Sequence, residues 1–516
     1  MVQLDPTKIH IESHLERPWE HQDSFQDVMA EQLRHAPWLA ISIVVHAIVF
    51  LILFQIPVHS RKAQNAKVLT AAQPEPETDI EEEEEEEEEE PEPEPEPEPV
   101  LQDSEVTEIT EDTEDFEEDE PMENDSAFES DALNDVVGIG GGAGGKFGGR
   151  GRGRGKLGKK GGRPTAQAIQ LGLEWLAKHQ DEEGKWDCDE FMKHDPAGDV
   201  CDGPGNPVND IGCTGLALLA FLGDGSTMRS GPYKDNVKRG IIWLKDQQDE
   251  SGLLGTEAGR TFMYNHAIAA LALVEAYGLS KYRTLKRYAQ RAVDYIEKAR
   301  NPYKVWRYYP HDGLNDSSVT GWMVFVLSSA DYFKLKIDQN ALSYSRAWFD
   351  EVTDQSTGQC GYTKRGEGSS REIGMAEKFP ASKTEAMTAT GLLCRIFLKQ
   401  MSLGKNKQIE KQEPVWVAAA DTMLKKKPNW NPNDGSIDLY YWYYGSYAMY
   451  QMGKSHWREW RKALDPALIK TQQKEGSRRG SWDPISAWGN DGGRCYSTAI
   501  GVLCLEVYYR YTRLIR

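Results

Sequence analysis

The part of the chain that follows residue 163 alternates between two hydrophobic patterns. In the first, apolar residues recur every three to four positions among charged ones, which predicts an amphipathic helix. In the second, nearly every position is apolar, which predicts a helix buried on all sides. The amphipathic segments lie near 165–180, 234–248, 284–300, 339–352, 411–425 and 456–473. The apolar segments follow them in turn, near 210–222, 263–278, 316–333, 383–400, 437–452 and 495–511.

These segments predict an all-α fold of six helical hairpins that close into a ring, an (α/α)6 toroid over 164–516. The apolar helices would form the inner layer of the ring and the amphipathic helices its outer layer. Gly, Pro, Asn and Asp cluster between the segments, for example at 196–209 and 353–374, which indicates loops rather than strands. A closed ring has no end repeat, so it needs no capping unit.

A short motif recurs where three of the amphipathic segments end: a Gln, then a Gly in a turn, then in two copies a Trp. The copies are Gln180–Gly184–Trp186, Gln248–Gly252–Leu254 and Gln473–Gly480–Trp482. The motif resembles the QW repeats of squalene and terpenoid cyclases and of protein prenyltransferase β subunits, and the resemblance implies the same toroid. We expect the Gln to cap the turn, the Gly to permit it and the Trp to join neighbouring repeats.

The catalytic motifs of those families are poorly matched. The resemblance implies an Asp-x-Asp-Asp acid on an inner helix, but the nearest match, 187–190, directly follows a turn and is interpreted as a solvated acidic loop. Asp491 and Cys495 resemble part of the prenyltransferase zinc motif, with a longer spacing and no later histidine. We therefore expect no metal and no cofactor.

Polar and aromatic residues near the starts of the apolar segments would meet at one mouth of a closed ring. The candidate ligand-binding residues are Asp210, Asn265, Lys383, Asp438, Tyr441, Trp442, Arg494 and Tyr496. The candidate acid–base residues are Asp316, Glu385 and His266. A structural role stays open for the whole set, because Asp210 and Asp316 also fit helix caps.

Charge divides the rest of the chain into unlike pieces. Residues 75–135 hold 33 acidic side chains and no Lys or Arg, whereas 146–163 hold eight basic and no acidic ones. The first block predicts a disordered acidic, Pro/Glu-rich linker over 58–136, because like charges repel and alternating prolines favour extended chain. The second belongs to a Gly/Arg/Lys-rich linker over 137–163. Its suggested partner is an acidic polymer; nucleic-acid binding is not expected, because aromatic residues are scarce there.

An uncharged apolar run from Trp38 to Ile56 has 19 residues, enough to span a bilayer at about 1.5 Å per residue. It predicts a single transmembrane helix over 38–57, a cytoplasmic segment over 1–37 and an inner-membrane location with the toroid outside. Ser42 and His46 share one face of this helix. With the Pro-Glu spacer, they resemble the amino-terminal region of TonB-type energy transducers, which implies an ExbB/ExbD-type partner. A plain anchor in the lipid bilayer remains the alternative.

Three functions are compatible with the sequence. We favour a membrane-anchored toroid that binds a lipid, glycan or peptide in its funnel without cyclase chemistry, so enzyme activity is left uncertain, leaning against. The first alternative is a terpenoid cyclase- or prenyltransferase-like enzyme that acts on an isoprenoid through a relocated acid. The second is an envelope device driven by the proton-motive force through Ser42 and His46. The sequence leaves open whether Cys188, Cys201 and Cys213 form a disulfide.

Overall fold

A computed structural model describes residues 163–515, apart from 281, 373, 405–406 and 511–512. The predicted anchor at 38–57, the linkers up to 162 and the Ser42/His46 face lie outside the described residues, and statements about them stay predictions. Within the described part, no helix has both the length and the apolar character needed to cross a bilayer.

Twelve α-helices make up most of the described chain, in the order that the hydrophobic pattern predicts. The outer helices are α1 (Arg163–Lys178), α3 (Lys234–Asp246), α5 (Arg283–Ala299), α7 (Gln339–Val352), α9 (Pro414–Leu424) and α11 (Lys454–Ile469). The inner helices are α2 (Asp210–Gly223), α4 (Phe262–Ser280), α6 (Ser317–Tyr332), α8 (Ala386–Leu403), α10 (Leu439–Met452) and α12 (Gly489–Arg510). Only isolated β-bridges accompany them among the described residues, so the all-α prediction is confirmed.

The inner helices form a closed ring. Each contacts the next in chain order, from α2 through α12, and α12 then packs against α2. Most outer helices lie between two adjacent inner ones, and the first helix, α1, packs against α12 and α11 at the far end of the chain. These contacts confirm the predicted toroid of six hairpins for the described residues.

Each of the three Gln-Gly turns attaches an outer helix to the next one around the ring. Gly184, Gly252 and Gly480 have φ angles of +110°, +100° and +96°, which side chains rarely adopt. A Cβ on these glycines would lie 2.4, 2.2 and 2.1 Å from a carbonyl oxygen of the following outer helix. For Gly480 that carbonyl belongs to Leu171 in α1, so this turn closes the ring.

The glutamine of the motif caps this turn as predicted, with one correction. Gln180 donates to the carbonyl of Gly184 at 2.8 Å and to that of Asn236 in the next outer helix at 2.9 Å. In the last repeat the same role falls to Gln472, which donates to Gly480 and to Ala168 of α1. The predicted Gln473 instead donates to Asp483 at 2.8 Å, so the assignment of the motif was wrong by one residue there.

The tryptophan of the motif is buried, and it ties its turn to the helices on either side. The indole of Trp186 donates to the carbonyl of Leu176 at 2.7 Å, and its backbone N–H donates to the hydroxyl of Thr214 at 2.9 Å. Trp482 repeats both bonds, to Leu468 and to Thr498. Because each turn is held at both ends, the amino ends of the inner helices are fixed at one mouth of the ring.

The carboxy ends of the inner helices are joined by buried charges. Arg510 of α12 lies 2.8 Å from the carboxylate of Glu275 in α4 and 3.6 Å from that of Glu506, and all three side chains have no solvent exposure. Arg510 also donates to the carbonyl of Leu219 in α2. Three inner helices therefore share one buried cation at this end of the ring.

Candidate functional site

A cavity of about 130 Å³ lies between the amino-terminal halves of the inner helices. Its walls are largely apolar and aromatic, and a roughly 150 Å³ cavity of apolar character is known to bind benzene. The cavity therefore has room for about one ring-sized group. The aromatic side chains that line it are Tyr264, Tyr308, Trp322, Tyr362, Tyr440, Trp488 and Tyr496.

Four buried polar atoms on the cavity walls have no hydrogen-bond partner in the described structure. They are the indole N–H of Trp488, the hydroxyls of Tyr496 and Thr261, and one carboxylate oxygen of Asp491. Trp488, Asp491 and Tyr496 surround the start of α12, where Gly493 adopts φ +62° and interrupts the helix. Burial, together with the nearby charge of Glu372, raises the pKa of Asp491 to about 6.

The rim of the cavity carries two arginines with different roles. The guanidinium group of Arg371 is fully engaged. It pairs with Asp438 at 3.0 Å and donates to the carbonyls of Phe379 and Ser370. Arg260 is half exposed and lies 3.9 Å from the carboxylate of Glu372. Arg371 thus holds the loop after α7 against the cap of α10, whereas Arg260 remains accessible at the mouth.

A buried carboxylate lies behind one wall of the cavity. Asp316 caps α6 by accepting the N–H of Val319 at 2.7 Å, so its predicted capping role is confirmed. Its other oxygen accepts the hydroxyl of Tyr362 at 3.2 Å, and the Tyr362 hydroxyl meets that of Tyr308. Burial raises the pKa of Asp316 to about 7. The carboxyl is therefore connected to the cavity through two tyrosines.

The structure brings some of the predicted ligand-binding residues to this cavity. Asn265 and Tyr496 line it, and Asp438 lies behind it as the partner of Arg371. Asn265 is fixed by donating to Val208 and Asn209 in the loop before α2.

The other predicted residues lie elsewhere. Lys383 is exposed on a short 3-10 helix. Tyr441 donates to the carbonyl of Met423 and packs edge-on to Trp460 of α11, and Trp442 packs against Trp430. The aromatic run at the start of α10 instead contributes Tyr440, whose hydroxyl bonds Ser318 at 2.9 Å.

Arg494 and Asp210 serve the loop between α1 and α2. Arg494 is buried and pairs with Asp202 and Asp483. Asp210 does not cap α2, because its carboxylate accepts the N–H of Cys188 and pairs with Lys185 at 2.9 Å.

Two of the three predicted acid–base residues are engaged away from the cavity. His266 accepts the N–H of Leu254 at Nδ1 and faces the carbonyl of Ala292 with Nε2, and burial lowers its pKa to about 4. It occupies the position that Thr214 and Thr498 occupy in other repeats. Glu385 pairs with Lys426 at 2.6 Å and accepts the hydroxyl of Thr388. Asp316 is the one of the three that reaches the cavity network.

The segment 187–190 is not the solvated loop that the sequence suggested. Asp187 is 3% exposed, and its carboxylate accepts the N–H groups of Asp189 and Glu190. Lys185 lies 2.9 Å from both Asp187 and Asp210, so this acidic cluster already contains an ammonium group as counter-charge.

Sequence reasoning missed the cavity residues that come from loops. Tyr308, Tyr362, Arg371 and Glu372 follow outer helices, and no periodic pattern marks them. In the sequence predictions, Asp491 is part of a zinc motif only. The sequence signal for this wall of the cavity is the cluster of polar and aromatic residues around the start of α12, which begins at Trp488 and not at Arg494.

No protein-family model matches the chain, and no curated protein shows significant similarity in sequence. An α-1,6-mannanase from a Salegentibacter species is 9% identical, with a TM-score of 0.45 over 66% of this chain and 98% of its own. The type II terpene cyclase MstE from Scytonema is 12% identical, with a TM-score of 0.41 over 67% and 97%. A cellobiose 2-epimerase from Spirochaeta thermophila is 15% identical, with a TM-score of 0.44 over 69% and 98%. These likenesses assign neither a substrate nor a reaction.

Proposed function

We propose that the toroid binds a small hydroxylated ring, such as one sugar unit of a glycan, in the cavity at the amino ends of its inner helices. The observation that carries this proposal is the set of four unpartnered polar atoms, on Trp488, Asp491, Tyr496 and Thr261, around one aromatic cavity.

Leaving a buried polar atom without a partner costs about 1–3 kcal/mol. A ligand with several hydroxyl groups supplies both donors and acceptors, so it can pair with the indole N–H of Trp488 and the carboxylate of Asp491 together. The apolar C–H face of a sugar ring can pack on the tyrosine and tryptophan walls. Hydroxyls and one apolar face are thus the features that this cavity selects.

An isoprenoid meets only half of these requirements. It would fill the aromatic walls, but it would leave the polar atoms near α12 without partners and keep their desolvation cost. A peptide side chain that ends in an amide or hydroxyl could satisfy one or two of them. The glycan unit is therefore preferred among the lipid, glycan and peptide ligands that the sequence left open.

The test is native mass spectrometry of the purified full chain with a panel of mono- and disaccharides. A short prenyl phosphate is tested in the same way, as the representative of isoprenoid ligands. We expect a sugar to be retained and the Tyr496→Phe variant to retain less of it. Tyr444→Phe is the matched control, because the Tyr444 hydroxyl is also buried without a partner among the described residues but does not line the cavity. Retention of the prenyl compound with no retention of any sugar contradicts the proposal.

The Asp316 network supports a second candidate function, an acid–base step on the bound ligand. A carboxyl with a pKa of about 7 can hold a proton near neutral pH and pass it through Tyr362 to a group in the cavity. This arrangement would supply the relocated acid of a cyclase-like enzyme. Incubation of the chain with each ligand that it retains, followed by mass and stereochemical analysis, distinguishes turnover from binding. Loss of turnover in Asp316→Asn and in Tyr362→Phe, with binding kept, is the result expected for this role.

The anchor at 38–57 and its coupling partner are proposed on the sequence alone. A membrane anchor joined to the toroid by the long acidic linker would tether the ligand-binding domain to the bilayer. Replacement of His46 by Asn separates a plain anchor from a proton-motive-force-coupled device. An unchanged phenotype at unchanged membrane insertion eliminates the coupled device.

A further inference from the structure

A cluster of three potential metal ligands lies in the first part of the α1–α2 loop, and none of its residues lines the cavity. His179 directly follows α1, Asp195 follows a short 3-10 helix, and Cys201 lies in the loop beyond it. The ligand atoms His179 Nε2, an Asp195 carboxylate oxygen and Cys201 Sγ all lie within 4.8 Å of one another. The side chains of His179 and Asp195 have no solvent exposure, and Cys201 is 4% exposed.

The hydrogen bonds of His179 are inconsistent with a neutral imidazole. Nδ1 lies 2.7 Å from the carbonyl oxygen of Trp175, and Nε2 lies 3.0 Å from Oδ1 of Asp195. Both neighbours are acceptors, whereas a neutral ring carries one N–H. The contact between Nε2 and Asp195 therefore holds either a shared proton or, after a small shift of the side chains, a metal ion.

The surroundings fit a metal ion on the Nε2 side. An imidazole that binds a metal usually donates its other N–H to a backbone carbonyl, as Nδ1 does here to Trp175. Oδ2 of Asp195 accepts the N–H of Cys201 at 2.8 Å, which leaves Oδ1 facing the histidine. Trp175 stacks on the His179 ring at 4.0 Å and fixes its plane.

The distances between ligand atoms are close to those of a tetrahedral site. Bond lengths of about 2.0 Å to N and O and about 2.3 Å to S place ligand atoms roughly 3.3–3.5 Å apart. The observed separations are 3.0 Å between His179 Nε2 and Asp195 Oδ1 and 4.0 Å between His179 Nε2 and Cys201 Sγ. Small side-chain shifts would therefore suffice. Lys178, which lies 3.4 Å from Asp195, is about half exposed and can turn into solvent.

We propose that His179, Asp195 and Cys201 bind a zinc-class divalent transition-metal ion. The mixed nitrogen, sulfur and oxygen donor set suits zinc or cobalt and does not suit magnesium or calcium, which prefer oxygen ligands. The ion connects the end of α1 to the loop that leads to the cavity. That loop holds Asp491 in place, because Asn206 and Asn209 both donate to its backbone carbonyl at 2.9 Å.

Metal binding also changes the chemistry of the thiol. The Cys201 side chain is buried, so the thiol has little access to solvent before a metal binds. On binding, the thiol loses its proton to solvent and the thiolate coordinates the ion. No electron is transferred, and metal binding should release protons.

The test is cobalt binding to the full chain, purified without chelator and then freed of metal. A thiolate–cobalt charge-transfer band should appear in the near-ultraviolet spectrum, and it reports sulfur ligation even if the acidic linker binds cobalt through oxygen. Zinc should displace the cobalt and abolish the band. Cys201→Ala should lose the band and weaken zinc binding by more than about 100-fold, beyond the 10–100-fold typical of lost outer contacts.

The matched control is Cys504→Ala, which removes an equally buried thiol from the core of α12. It should keep the band. Should Cys201→Ala fail to fold, Asp195→Asn changes the ligand set with almost no change in shape, and it should weaken zinc binding. A wild-type chain with no charge-transfer band and no thermal shift on adding zinc overturns the proposal and leaves a buried imidazolium–carboxylate pair. A band that persists in Cys201→Ala overturns it equally.

Discussion

The two ends of the inner-helix ring both contain buried polar groups, but these groups differ in what they contact. At the carboxy ends, the buried cation of Arg510 lies between the carboxylates of Glu275 and Glu506. At the amino ends, polar atoms of Trp488, Asp491 and Tyr496 face a cavity and find no partner in the described residues. The charged groups at the first end contact one another, whereas the polar atoms at the second end line a cavity that a ligand can enter.

This difference separates stability from function in one set of helices. A buried ion pair contributes little net stability over a well-packed apolar replacement. Removing one of its two partners, however, strongly destabilises the protein. An unpartnered polar atom costs stability until a ligand pairs with it. Substitutions at the two ends should therefore act on different measurements.

The largest effect is expected at the carboxy ends. Arg510→Met should destabilise the protein by about 3–5 kcal/mol, because Glu275 and Glu506 are left buried without the cation. Urea unfolding monitored by circular dichroism measures this loss of stability. Lys462→Met, which removes a largely exposed pair with Glu459, should change stability by less than about 0.5 kcal/mol. Equal losses of stability in the two variants would contradict the expected difference between buried and surface charges.

The second effect depends on pH and concerns Asp316. The folded-state pKa of about 7 is above the unfolded value near 4, so the folded state prefers the neutral acid. Its stabilising contribution is complete below about pH 4 and is lost as the pH rises through 7. Between pH 5 and pH 8 the wild type should lose about 2–3 kcal/mol that Asp316→Asn does not lose. Parallel stability curves for the two proteins would show that the carboxyl does not titrate in this window.

The third effect concerns ring closure. Gly480→Ala should destabilise the protein by about 1–3 kcal/mol more than Gly366→Ala. Both glycines have positive φ angles, +96° and +79°. A Cβ at 480 would strike the carbonyl of Leu171, whereas no atom of the described residues lies within 4 Å of a Cβ at 366. The difference in unfolding free energy between the variants isolates the contact. If the two variants are equally stable, the last turn does not hold α1.

The smallest effect on stability is expected at the cavity. Asp491→Asn should change the unfolding free energy by less than about 1 kcal/mol at neutral pH, because it removes a buried charge that lacks a full set of partners. The same variant should weaken ligand binding. Thermal unfolding with and without the retained sugar measures both properties. A large loss of stability without a change in binding would place Asp491 in the scaffold.

The ring could be predicted from sequence because helix periodicity and the Gln-Gly turn are local signals. All six apolar segments became inner helices, and Gly480 closed the ring as a repeat motif should. The cavity was less predictable, because Tyr308, Tyr362 and Arg371 reach it from loops. In a fully apolar helix the sequence also does not show which side faces the cavity. Within 440–444, Tyr440 lines the cavity and Tyr441 packs outward.

The most direct test of the account is calorimetric titration of the wild type, Tyr496→Phe and Tyr444→Phe with the sugar that native mass spectrometry retains. Loss of one cavity hydrogen bond should cost about 1 kcal/mol, which is a roughly fivefold weaker affinity for Tyr496→Phe. Tyr444→Phe should bind like the wild type. Equal affinities for all three proteins, or no heat of binding for any sugar, would contradict the claim that the amino ends of the inner helices form a ligand site.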